Sequence, residues 1–181
     1  MVGANGRLGR AVMAAATQSG HDAAAVGAER GAELVGLDAV VCVTGPTPSH
    51  PGDTVPASTR ALIDGMVGAG VTRLVVVTGA MVGAPGTSLS WVYRLIRSMP
   101  SVASQLGPRR EQERAVMGSG LRWTIARPAR LHDGPPCGVR AGETIAVGAL
   151  ATTSRPALAA WLVAACATPA WEGRAVTVVD R

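Results

Sequence analysis

Three glycines spaced by threes open the chain, Gly3, Gly6 and Gly9 in Met1-Val-Gly-Ala-Asn-Gly-Arg-Leu-Gly-Arg10, and an alanine-rich helical stretch over residues 11–19 follows at once. Glycine at the first position permits a tight turn, at the second it lets backbone approach a pyrophosphate, and at the third it allows close packing of helix on strand. The free amides of the helix start attract phosphate charge. A purely structural turn uses the same spacing, and with Gly 23 in the composition the spacing alone leaves both readings open. Arg7 and Arg30 each offer a guanidinium fork suited to an adenosine 2'-phosphate. Tyr93 and Arg97 stand four apart, where a fixed positive charge beside the phenol would lower its pKa, although Tyr93 in Trp91-Val-Tyr-Arg-Leu-Ile reads first as a packing aromatic on an amphipathic helix. His132, next to Asp133, offers an acid/base imidazole or ordinary turn chemistry.

Other chemistries find little support. Cys42, Cys137 and Cys166 are widely spaced, and with three histidines they form no zinc pattern, so no metal site is expected. Ser119-Gly120 is no nucleophile elbow. All 17 basic residues counted as Lys+Arg are arginine, which excludes lysine acid/base and Schiff-base mechanisms. The net charge of +5 favours an anionic ligand. No basic tail or aromatic interleaving points to nucleic acid, and Arg109-Arg110-Glu111-Gln112-Glu113-Arg114 reads as a solvated, locally paired helix face. Reduced cysteines, no charged leader and no long apolar run together imply a cytoplasmic chain without a membrane span.

These residues need a scaffold, and 181 residues supply one domain, 1–181, with a core of Val, Leu, Ile and Ala because aromatics are only 3%. Apolar runs at residues 37–44, 71–78, 121–127 and 175–179 read as buried strands, with a weaker, alanine-rich candidate at 21–26 and a short extended piece at 144–147. Helices are predicted over 58–69, 88–98, 109–117 and 155–167, with a short helical passage within 27–36. Pro100 is expected to end the 88–98 helix, Gly107-Pro108 to form a turn, and residues 46–56 and 128–142 to be loop. The βα alternation argues for an α/β, doubly wound, mostly parallel sheet covered on both faces.

The turn Gly3-Ala-Asn-Gly-Arg-Leu-Gly-Arg10, the strand Gly70-Val-Thr-Arg-Leu-Val-Val-Val-Thr-Gly79 and the segment Gly120-Leu-Arg-Trp-Thr-Ile-Ala-Arg-Pro-Ala-Arg-Leu-His-Asp-Gly-Pro135, with the later Ser154-Arg155, occur in one order. In that order the chain resembles the NAD(P)H-binding atypical short-chain dehydrogenase/reductases, particularly the NmrA-like and biliverdin-reductase-B-like branches. The resemblance implies a Rossmann-like domain with Gly3, Asn5, Gly6, Arg7, Leu8 and Gly9 at the cofactor turn and Gly45 beside it. It places Thr78, Gly79 and Arg127 at the nicotinamide end, and Arg130 near the substrate.

Three departures follow. Only two residues precede Gly3, which implies a stub of a first strand or a natural start further upstream, and about a dozen residues between Val26 and Asp38 are too few for the family's third strand and helix. Where ordinary relatives use Tyr-x-x-x-Lys, the chain has Tyr93-x-x-x-Arg97. The implied function is an NAD(P)H-dependent reductase transferring hydride to a small carbonyl, flavin or quinone-like substrate, with NADP favoured over NAD by Arg7 and Arg30. Alternatives are a noncatalytic nucleotide-sensing or structural member, and a cofactor-free isomerase or cyclase of secondary metabolism using Tyr93 or His132. Self-association through apolar faces left by the shortened sheet is the partner expectation.

Overall fold

A computed structural model describes residues 1–27, 31–45, 54–83 and 91–181. Its central sheet runs β1 (Ala39–Cys42), β2 (Arg73–Val77), β3 (Arg122–Pro128), β7 (Arg174–Asp180), β5 (Val139–Gly142); the first four are mutually parallel and β5 is antiparallel to β7. A second, two-stranded parallel sheet pairs β4 (Arg130–His132) with β6 (Thr152–Ser154). The helices are α1 (Arg7–Gln18), α2 (Thr54–Gly68), α3 (Trp91–Ser98), α4 (Pro100–Met117) and α5 (Arg155–Ala167). No helix among the described residues is long and apolar enough to cross a membrane.

Alternation along the strands divides the core into two faces. Val41, Val75, Val77, Ala126, Val176 and Val178 meet α1 and α5 through Leu8, Val12, Leu158 and Leu162. Val40, Cys42, Leu74, Val76 and Ile125 point the other way, onto Leu62 and Met66 of α2 and Val116 of α4. Such doubly covered strands need near-continuous apolar runs, which is why β1, β2 and β3 were plain in the sequence.

The shortening also falls where the sequence places it. Val2 adds one parallel bridge to Cys42, with Val2 N donating to Val41 O at 2.9 Å and Val43 N donating to Val2 O at 3.0 Å. Beyond it, Val26 N donates to Met1 O at 2.9 Å and Met1 N to Ala24 O at 2.6 Å, but residues 21–26 form no strand, in keeping with their alanines. Among the described residues between Val26 and β1, the one regular element is a 3-10 turn, Gly31–Leu34.

Three expectations are corrected. Pro100 does not merely end a helix; it sits at the first position of α4, where its missing N–H costs nothing, and α4 continues through Gly107 and Pro108. The 128–142 connection contains β4 and β5. Residues 144–147 hold no strand, and the extended piece is β6 instead. Asp180 at the end of β7 joins the small sheet to the large one: it accepts from Ser154 N, Thr152 Oγ1 and His132 Nε2, each at 2.8 Å. Burial raises the Asp180 pKa, but these donors outweigh it and hold the carboxyl below its ordinary range.

Arg73 is a charged side chain buried inside the sheet. It is 2% exposed at the start of β2, and its guanidinium donates to Ala165 O at 2.6 Å, Cys166 O at 3.2 Å, Arg122 O at 2.6 Å and Thr124 Oγ1 at 2.7 Å. A fixed cation thereby satisfies carbonyls in the last turn of α5 and complements the helix dipole. Leucine there would strip these buried acceptors of the guanidinium's hydrogen bonds, so R73L is expected to cost about 3–5 kcal/mol in urea unfolding.

Candidate functional site

A cleft of about 660 Å³ opens along the carboxyl ends of β1, β2 and β3, bounded on one side by the turn into α1 and on another by α4. Ligands of open α/β sheets settle at this end, where strand order reverses. Here the reversal lies between Val2 and β1: α1 leaves Val2 for one face and α2 leaves β1 for the other.

The three N-terminal glycines have separate geometric duties. Gly3 has φ +88°, a left-handed conformation suited to glycine. A Cβ on Gly9 would lie 2.1 Å from Gly3 O, so the third glycine is required for α1 to approach the turn. At Gly6 the nearest atom to such a Cβ, again Gly3 O, is 3.5 Å away, an ordinary contact. A side chain at position 6 therefore fits the fold, yet Gly6 lines the cleft, and its bareness keeps the mouth open. Gly79 lines the same cleft and has nothing within 4 Å of its Cβ position. Gly6 is the N-cap of α1 and no side chain caps the helix, leaving the first-turn amides to a ligand. Turn, open mouth and uncapped amides together fit a dinucleotide diphosphate.

Beneath the floor lies a buried ion pair. Arg127 of β3 donates from Nε to Glu113 Oε1 at 3.0 Å and from Nη2 to Oε2 at 2.6 Å, with the two side chains 7% and 6% exposed. Thr78, just past β2, donates its hydroxyl to the same Oε1 at 2.6 Å, and its backbone N–H donates to Ala126 O at 2.9 Å. Thr78 faces the cleft, whereas Arg127 is committed below it and is not among the lining residues. The charged run on α4 is thus only partly a solvated face: Gln112 and Glu113 are buried, and Gln112 Nε2 donates to Thr59 Oγ1 of α2 at 3.1 Å.

Arg109, one turn before Glu113, lines the cleft. Its Nη1 donates to Thr44 O at 3.0 Å, Val77 O at 3.3 Å and Gln112 Oε1 at 3.0 Å, fixing the guanidinium across the ends of β1 and β2. Burial lowers its pKa from the ordinary value. Gly45 makes room for it, since a Cβ there would stand 3.0 Å from Arg109 Nη2. Gln105, one turn earlier on α4, also lines the cleft. The i, i+4 pair that faces the cleft is therefore Gln105-x-x-x-Arg109. Tyr93 lies on α3, and its side chain, like that of Arg97, is outside the described residues.

At the mouth, Asp133 accepts from Arg155 Nη1 at 2.6 Å and from Arg7 Nη1 at 3.1 Å, joining the first residues of α5 and α1. The Arg155 hydrogen bond is the chief cause of the depressed Asp133 pKa. Leu8, Gly45 and Arg130 line the cleft as well, and the Arg130 guanidinium makes no hydrogen bond or ion pair with a described residue. Asn5 is exposed outside the lining, its carbonyl accepting from Arg10. His132 stands apart: Gly134 N donates to Nδ1 at 3.0 Å, so Nε2 carries the proton and donates to Asp180. Both ring nitrogens are occupied, Nε2 in holding β4 to β7 and Nδ1 in the turn after β4. Arg30 lies outside the described residues.

A model of the NAD(P)H-binding family matches residues 27–169, a span holding the strand ends and α4 but beginning after the glycine turn. No curated protein matches the chain. Among solved structures, a proposed NAD-dependent epimerase/dehydratase from Bacillus halodurans superimposes with a TM-score of 0.80 at 17% identity, covering 99% of this chain and 92% of that one. A proposed NADH-flavin reductase from Streptococcus pneumoniae gives 0.76 at 18% identity, covering 99% and 97%. A short-chain dehydrogenase/reductase from Veillonella parvula in complex with NADP gives 0.73 at 12% identity, covering 98% and 91%. At these identities the likeness speaks for the Rossmann-like fold alone, whereas the match over most of the chain settles kinship: the protein belongs to the NAD(P)H-binding family.

Proposed function

We propose that the protein is an NAD(P)H-dependent reductase that passes hydride to a flavin or quinone-like acceptor in the cleft between the glycine turn and the ends of β2 and β3. The observation carrying this reading is the pair Gly6 and Gly79, two glycines that the fold does not need bare and whose missing side chains leave the cleft open from the turn to the strand ends. Arg7, Leu8 and Gly9 would present first-turn amides to the cofactor diphosphate. Arg7 also supports NADP over NAD, provided its guanidinium leaves Asp133 for a 2'-phosphate. When bound, the dihydronicotinamide supplies a hydride, ending as the oxidised ring while the acceptor gains two electrons and one proton.

The acceptor class follows from what the walls lack. Among the described lining residues there is no Tyr, His, Lys, Asp, Glu or Cys. Arg109 does not give up a proton near neutrality, and the Thr78 hydroxyl proton is directed at Glu113. A ketone reduced here would become an alkoxide with no acid beside it among the described residues. A flavin or quinone instead yields a delocalised anion that water protonates, so placement alone suffices. The small-carbonyl reading loses ground accordingly, and so does a cofactor-free isomerase, because His132 is occupied with Asp180. The same lack of a proton donor favours the second reading, a nucleotide sensor that binds the cofactor without turnover.

Calorimetric titration with NADPH and NADH tests the reading. Saturable NADPH binding is expected, tighter than NADH, and G6W should abolish it with the melting temperature kept, since position 6 tolerates a Cβ. G9A should instead unfold the turn through its 2.1 Å contact. Binding without NADPH oxidation by riboflavin or menadione would favour the sensor. The pair below the floor is probed by E113Q, which leaves Arg127 buried and uncompensated; about 3–5 kcal/mol of stability should be lost in chemical denaturation.

A further inference from the structure

The cations of the cleft are not equally supplied with anions. Arg7 and Arg155 share Asp133, and Arg127 below the floor has Glu113. Arg109 and Arg130 line the cleft without such a partner: the hydrogen bonds of Arg109 go to two carbonyls and an amide oxygen, and Arg130 has no hydrogen bond or ion pair among the described residues. Glu113, one turn from Arg109, has both oxygens engaged by Arg127 and Thr78. No Asp or Glu is among the described lining residues. Much of the remaining wall is apolar, with Met81, Val82, Ile96, Val102, Leu106 and Leu131.

A desolvated guanidinium whose hydrogen bonds all go to neutral acceptors has lost hydration without gaining a bonded counter-charge, and burial outweighs the attraction of Glu113 one turn away in working against its ionised form. An anion from outside restores that balance, and a guanidinium fork receives a carboxylate or phosphate in two parallel hydrogen bonds. Arg109 is pre-set for this by its bonds to Thr44 O and Val77 O, so little side-chain freedom is lost on binding. Arg130, exposed on β4, adds field at the mouth and raises the rate of encounter with an anion.

We infer that the acceptor bound in this cleft carries a fixed anionic group, a phosphate or carboxylate, on an apolar body, and that Arg109 and Arg130 hold that group. The inference rests on the reductase reading for the acceptor's place, but its test does not need turnover. The probes are FMN and riboflavin, which share the isoalloxazine ring and differ by a phosphate, and anthraquinone-2-carboxylate against anthraquinone-2-methanol for the carboxylate. Dissociation constants are measured by flavin fluorescence and calorimetry, without and with saturating NADP⁺.

The charged member of each pair is expected to bind about tenfold more tightly or better, from charge-assisted hydrogen bonds. R130Q and R109Q should each shrink that ratio several-fold, while R174Q, whose partner is Glu143, should not change it. R130Q, on an exposed residue, keeps the test valid if R109Q fails to fold. Ratios near one in the unaltered protein would overturn the inference, as would ratios unmoved in R130Q. A preference that vanishes when NADP⁺ is added would assign the anion to the diphosphate turn and overturn it equally. Failure to oxidise NADPH with these ratios intact would remove the reductase reading alone.

Discussion

Glu113 gathers three elements under the cleft. One carboxylate on α4 receives a bidentate guanidinium from β3 and a hydroxyl from the end of β2, so helix and strands cannot shift past one another without exposing a buried charge. The floor beside Thr78 and Gly79 is rigid for that reason, and a cleft that works by placing two reactants needs such a floor more than it needs an acid. Thr78 keeps its place with its hydroxyl hydrogen pointing down and its lone pairs left to accept.

Most of the scaffold was legible because doubly covered strands have few sequence options. Val40-Val41-Cys42 and Leu74 to Val77 announce themselves by unbroken apolarity, and Gly3, Gly6 and Gly9 by spacing. The shortening next to Val26 was equally readable, because the number of residues is too small for a strand and a helix. The site was less so. Tyr93 and Arg97 drew attention as a titratable residue and a cation four apart; their side chains lie outside the described residues, among which Gln105 and Arg109 line the cleft with that spacing. Two things hid this pair: glutamine carries no acid/base signature, and Gly107-Pro108 reads as a turn although α4 passes through it. Glu113 was hidden among charges that suggest water on all sides. Only packing against α2 and β3 distinguishes its face from that of exposed Arg110 and Arg114.

Arginine without lysine suits this arrangement. Arg73, Arg109 and Arg127 are each held by several fixed acceptors, which a planar fork serves and a single ammonium would not. Guanidinium as a group stays charged far above neutrality, so a framework built on arginine suits a site where one built on histidine would change.

The capping of α5 by Arg73 also bears on the dimensions of the cleft. β2 carries Arg73 at one end and leads to Thr78 at the other, while α5 carries Arg155 at the mouth and ends on the Arg73 guanidinium. Thirteen helical residues span about 20 Å, and the five of β2 about 16 Å. Strand and helix thus form two nearly matched struts bolted together at the far end. Because α5 also packs along the sheet through Leu158 and Leu162, that tie sets how far Arg155 at the start of the helix stands from Thr78 at the end of the strand, and both line the cleft.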